Sequence, residues 1–133
     1  MKTNFSMLGF ALALGAGLFT ASVPAGEVIA HPSVRLSTDE VKELFLGDKQ
    51  LAGSVKLVPV ENTAEQAAFL AKVLQTDAAK YSARWTKKAF REGLTAPGVK
   101  SNDAEAIAFV QATPGAVAYV GATASGVKVL LKY

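Results

Sequence analysis

A helix-start signal recurs along this chain, and each time an extended run lies next to it. Ser37 stands three positions ahead of Glu40, Asn62 three ahead of Glu65 with Thr63 and Gln66 offset by one, and Asn102 three ahead of Glu105. In that spacing the first side chain accepts from a backbone N–H one turn on while the second reaches back, so donors orphaned at a helix start are satisfied reciprocally. Each signal therefore marks a place where extended chain gives way to helix. The neighbouring runs have strand chemistry: Glu27 to His31, ended by Pro32; Val55 to Val60, entered through Gly53; and Ala116 to Val120 and Val127 to Lys132, joined by a loop with Gly121, Ser125 and Gly126. Helices are predicted over about Thr38 to Phe45, through Ala67, Phe69, Leu70, Val73 and Leu74, from Thr76 and Asp77 toward Arg91, and over about Asp103 to Gln111. The order β-α-β-α-α-α-β-β predicts a small α/β sandwich with a mixed sheet.

That domain is expected over residues 26–133, because residues 1–25 read as an export signal. Lys2 supplies the positive start, Met7 to Phe19 is an uncharged apolar run, and Val23-Pro24-Ala25 ends the stretch with residues suited to cleavage. The run is shorter than the roughly 20 residues that cross a bilayer, so cleavage after Ala25 is favoured over an uncleaved anchor, and no later stretch predicts stable membrane insertion. The chain has no cysteine, which excludes disulfides and thiolate metal sites and suits a bacterial periplasmic protein better than a small secreted domain dependent on disulfides. Loss of Lys2 leaves 13 basic against 11 acidic residues, a balance too even for a nucleic-acid binder.

A set of stretches in one order carries a resemblance. Leu44-Phe45-Leu46-Gly47, Gly53, Val55-Lys56-Leu57-Val58-Pro59-Val60, the pairs Phe69-Leu70 and Val73-Leu74, then Trp85, Phe90 and Pro97 lead to Thr113-Pro114-Gly115-Ala116-Val117-Ala118-Tyr119-Val120. Together they resemble the phosphate ABC transporter substrate-binding proteins, whose Pro-Gly-Ala-Ile-Gly-Tyr signature the last stretch approaches. The resemblance implies a type II periplasmic binding fold, here in a short single-lobe form, and a phosphate-like oxyanion as the ligand class.

In that family the turn after the Val-Pro-Val-like strand carries an Arg and a Ser-Gly-Thr run that grip the anion. This chain has Glu61-Asn62-Thr63-Ala64-Glu65 there. Asn62, Thr63 and Ala64 are the candidate ligand-binding residues, since a helix start favours negative charge, but two carboxylates flank them where the family supplies attraction. The ordinary account of Asn62 and Thr63 is that they are helix caps, worth about 1 kcal/mol each.

A second candidate surface comes from spacing alone. Lys80, Arg84, Lys87, Lys88 and Arg91 fall within an arc of about 100° on one helix, a stripe that suits an anionic ligand, a lipid head group or an acidic partner surface, or is simply a solvated face. Tyr81, Trp85 and Phe90 are expected in the core, Tyr119 in an alternating run that could bring its hydroxyl to a cleft edge, and His31 at a strand end. The sequence has no Gly-x-Ser-x-Gly elbow, phosphate loop or His-Glu-x-x-His. The expected protein is therefore an exported, non-enzymatic solute-binding-like domain without cofactor or metal, taking phosphate or another small anion for an ABC permease. The alternative is an envelope protein-interaction module that kept the fold, lost the ligand and docks through the basic helix.

Overall fold

The computed structural model describes residues 25–122 and 125–133. The export signal expected over residues 1–25 lies outside them, Ala25 apart. The remainder is the small mixed-sheet α/β sandwich that the sequence predicts. Its principal sheet has five strands in the order β5-β4-β6-β1-β7, drawn from β1 (Glu27–Ala30), β4 (Val58–Asn62), β5 (Gly98–Lys100), β6 (Ala116–Val120) and β7 (Lys128–Lys132). β4 runs parallel to β5 and to β6, whereas β1 runs antiparallel to β6 and β7. At the outer edge Gly26 and Tyr133 exchange both backbone hydrogen bonds, at 3.0 and 2.9 Å.

Alternation along the central strands assigns the two faces. Val28 and Ala30 of β1 and Val117 and Tyr119 of β6 point into one cluster with Val41, Leu44 and Phe45 of α1 (Thr38–Phe45), Phe69, Leu70 and Val73, and Tyr81 and Trp85 of α3 (Ala78–Glu92). Ile29 of β1 and Ala116, Ala118 and Val120 of β6 point the other way, onto Ala106 and Val110 of α4 (Asp103–Ala112). Because both faces are covered, β1 and β6 are buried at every position, which is why their sequences read as continuous apolar runs. Aromatic packing centres the larger cluster: Phe69 stacks on Tyr119 at 4.1 Å between ring centroids and meets Phe45 edge-on at 4.9 Å.

Two of the three helix-start signals work as caps. Ser37 and Glu40 form the full reciprocal box at α1. Asn102 accepts from the Glu105 N–H, while Glu105 reaches one residue further back, to the Ser101 N–H. α3 begins at Asp77, whose side chain accepts from the Lys80 N–H, and ends at Gly93 with φ 67°.

The third signal does not cap. Asn62 ends β4, and the following helix α2 (Gln66–Phe69) has Glu65 at its N-cap position with no side-chain hydrogen bond. From Leu70 to Leu74 the chain widens into a π-helical turn that ends at Gln75 with φ 53°. Phe69, Leu70 and Val73 are thereby all turned into the core.

The predicted strand Val55 to Val60 is two elements. β3 (Val55–Lys56) pairs with β2 (Leu51–Ala52) in a separate ribbon, and β4 starts only after Leu57. The break follows from Gly115, whose carbonyl accepts from the Val58 N–H. Gly115 has φ 83°, and a Cβ there would run into the Lys56 carbonyl oxygen, so only glycine lets the two segments approach. β5, three residues at an exposed edge, was too short to show in the pattern. Phe90 corrects another expectation: it is 90% exposed, not core.

Gly115→Ala is expected to destabilise the fold by about 2–4 kcal/mol, since it adds a backbone collision to left-handed strain. A melting temperature lower by roughly 10 °C or more should follow. Gly98→Ala, which meets nothing within 4 Å, should melt like the parent, and equal losses in both variants would refute this account.

Candidate functional site

Parallel β4, β5 and β6 end at one edge of the sheet, the place where open α/β sheets hold ligands. Asn62 sits there fully buried, and its amide is saturated from within the chain. Its Nδ2 donates to Asp103 Oδ1 at 2.7 Å and to the Tyr119 carbonyl at 3.2 Å, and its Oδ1 accepts from the Ala64 N–H at 3.1 Å. The Thr63 N–H donates to the Lys100 carbonyl, the Glu65 N–H to the Asn62 carbonyl, and the Thr63 hydroxyl to the Ser101 carbonyl. Asn62, Thr63 and Ala64 are therefore brought together, but the amides of Thr63, Ala64 and Glu65 all have acceptors. The helix that follows runs on from α2 into the π-helical turn, but the donors that its start would turn toward an anion are already taken at Thr63, Ala64 and Glu65.

A carboxylate from the chain itself occupies the centre of this edge. Besides the Asn62 amide, Asp103 receives the Gly121 N–H on Oδ2 at 3.1 Å. Glu65 approaches the same point, for a Cβ added to Gly121 would lie 2.5 Å from its Oε1 and 3.3 Å from Asp103 Oδ2. Burial pushes the Glu65 carboxyl up, and the Asp103 charge adds to the shift. Tyr119, which the sequence placed at a cleft edge, is wholly buried with its hydroxyl unpartnered.

Glu61 faces the other way from Val60, toward α3. It is 8% exposed; Oε2 accepts from Gln66 Nε2 at 3.3 Å, while Oε1 is buried without a partner. Burial pushes this carboxyl up, partly opposed by the Tyr81 hydroxyl, which is itself buried and unpartnered at hydrogen-bonding geometry. Burial and the nearby Glu61 together push the Tyr81 phenol up strongly.

On α3 the five basic residues separate into two groups. Arg84 and Lys88 clamp the helix to the end of α1: Arg84 donates to the Leu46 carbonyl at 2.9 Å and pairs with Asp48 at 2.8 Å, and Lys88 pairs with Asp48 at 2.7 Å and Glu92 at 2.9 Å. The Lys88 hydrogen bond, with Arg84 beside it, holds the Asp48 carboxyl below its ordinary value. Trp85 completes the clamp through a 3.0 Å bond from its indole N–H to the Phe45 carbonyl. Lys80 lies 4.0 Å from Asp77. Lys87 and Arg91 are exposed, and neither makes an ion pair among the described residues. Arg84, Lys87, Lys88, Arg91 and Glu92 line a shallow groove of about 330 Å³. Phe90 projects beside Lys87.

Among the described residues no group of three His, Asp or Glu side chains is placed to hold a metal ion, and no helix is long and apolar enough to cross a membrane. His31 engages Ser33 at a strand end, with 2.8 Å from Nδ1 to Oγ.

No protein-family model matches the chain, and no curated protein matches it. Among solved structures it is similar to an ABC-type phosphate transport receptor from Vibrio cholerae, with 14% identity and a TM-score of 0.49 over 80% of this chain and 45% of the receptor. The chain spans less than half of that receptor's length.

Sequence reasoning missed three residues of interest: Asp103, Glu61 and Tyr81. Asp103 looked like an ordinary first-turn acid of α4. Glu61 could have been found by carrying the two-residue alternation of β4 past Val60, which puts it on the α3 side of the sheet.

A carboxyl raised on folding binds protons more readily in the native state, so stability falls as pH rises from its ordinary value of 4.5 through the raised one. Glu61→Gln removes that penalty. The variant should melt above the parent at neutral pH, with the gap closing as pH falls toward 4.5. Melting curves of the two proteins that stay parallel across this range would contradict the assignment.

Proposed function

We propose that the chain is an exported, non-enzymatic binding-protein-like domain, residues 26–133, that works in the cell envelope as a protein-interaction module. The observation that carries this reading is Phe90, 90% exposed beside Lys87 and Arg91. Arg84, Trp85 and Lys88 tie α3 to the end of α1, so the helix that presents this face is ordered before a partner arrives. An exposed aromatic next to cations that make no ion pair among the described residues is the composition of an interface anchor. Burying Phe90 would contribute about 1.5–3 kcal/mol, and Lys87 and Arg91 would steer an acidic surface toward it. The partner class is a protein with an apolar pocket rimmed by carboxylates.

Phe90→Ser and the pair Lys87→Glu with Arg91→Glu leave the core and the Asp48 clamp untouched, so their melting temperatures should stay within about 2 °C of the parent. Each should lose salt-sensitive cross-linking to a defined component of an envelope extract. Capture undiminished in both variants would overturn the reading.

A second reading is favoured by one observation at the sheet edge. The Gly121 N–H and the Asn62 amide converge on a carboxylate, so the donors for a small oxyanion are in place but held by Asp103. Transport of phosphate or a related anion with an ABC permease would require that carboxylate to swing out against Glu65. Under this reading Asp103→Ala gains a phosphate-dependent rise in melting temperature that the parent lacks, about 2.7 kcal/mol of stabilisation at a hundredfold excess over the dissociation constant. If millimolar phosphate leaves the variant unmoved, the edge is structural and the oxyanion reading fails.

A further inference from the structure

A cavity of about 240 Å³ opens between the β2–β3 ribbon, the start of β4 and the end of α3. Its floor is apolar. Leu44, Leu57 and Trp85 belong to the larger core cluster, half-buried Leu94 packs against that cluster, and Pro59 joins them on the floor. Lys49, Gln50 and Lys56 stand on the ribbon side of the wall and Thr95 on the side of α3.

The ribbon side is held in place from within the chain. The Leu57 N–H donates to the Gln50 carbonyl at 2.9 Å, and Gln50 Nε2 donates to the Gly47 carbonyl at 2.9 Å. Glu40 engages Lys49 at 3.1 Å. Lys56 is exposed and makes no ion pair among the described residues. Among the described residues no carboxylate lines this cavity.

That wall selects a chemistry. Apolar surface left facing water is stabilised when hydrocarbon covers it, and two ammonium groups with no acid among them set the sign of the ligand's head. An alkylammonium ion would place a third cation beside Lys49 and Lys56. An inorganic oxyanion would leave the floor wet, and an alcohol would cover the floor without meeting the charge. The volume equals that of about eight waters at roughly 30 Å³ each, which suits a body of about eight non-hydrogen atoms.

We propose that this cavity binds a short-chain aliphatic carboxylate, with its alkyl body on Leu57, Trp85 and Leu94 and its carboxylate at Lys56. The site depends neither on the Phe90 face of α3 nor on the Asp103 edge, and buried Glu61 and Tyr81 take no part in it.

Trp85 is the chain's one tryptophan, so its fluorescence reports occupancy. The test titrates the full chain with sodium butyrate, hexanoate and decanoate at about pH 7, where all three are ionised. Ionic strength is held constant, with sodium acetate and hexylammonium chloride as controls. A saturable change with hexanoate is expected, and affinity should rise about fourfold per methylene from butyrate to hexanoate. The rise should level off by decanoate, whose further carbons would lie outside the cavity. Lys56→Gln should weaken hexanoate binding roughly two- to fivefold, the worth of an exposed ion pair, and Lys56→Glu should weaken it further, with the melting temperature of each variant unchanged. Trp85 also lines a second cavity, whose wall does not include Lys56, so dependence on Lys56 assigns the response to this site. The proposal is overturned by no saturable response to hexanoate up to about 100 mM, a hundredfold above a millimolar constant. An equal response to hexylammonium overturns it as well, as does affinity that climbs fourfold per methylene all the way to decanoate, or unchanged affinity in Lys56→Glu.

Discussion

The strand-end edge of the principal sheet is organised by one buried amide. Asn62 has two donors and one acceptor group on its side chain, and all are used: toward the end of β6, toward the first turn of α4, and back to its own turn. A fully buried amide is tolerated only when satisfied in this way. Three segments distant in sequence must therefore stay in fixed register, and Asp103 is held where it also receives the Gly121 N–H. The edge is a closed hydrogen-bond network.

Electrostatics follow the same division. Carboxylates gather on the sheet side: Glu61 under α3, Glu65 and Asp103 at the strand ends, each of the two glutamates pushed up by burial. Cations gather on α3, where Asp48 and Glu92 restrain some and Lys87 and Arg91 stay outward. One helix thus separates the buried Glu61 carboxyl from a positive outer face.

Much of the scaffold was legible in the sequence, for reasons that can be traced to particular residues. Ser37 and Asp77 cap helices through bonds that lie within three residues of sequence, and β1 and β6 declare themselves because burial on both faces leaves them almost wholly apolar. The failures occur where tertiary contacts outweigh a local rule. Asn62 matches the capping spacing, but the partners that claim it are 41 and 57 positions away, beyond the reach of a local pattern. Phe90 shares a helix with the core aromatics Tyr81 and Trp85, yet it stands nine positions after Tyr81, half a turn round α3 from the buried side.

The backbone exchange between Gly26 and Tyr133 has a consequence for architecture. Whatever chain precedes residue 26 and whatever could follow residue 133 leave the domain side by side, from the β1–β7 edge. Such a domain needs only one point of attachment on a surface. Its outer ends could be joined by a short linker and new ends opened in an exposed turn, such as the one at Gly53, with the order of strands in the sheet unchanged. Tethered in this manner, it would behave as a pendant on a single stalk, free to swivel while its own interior stays fixed.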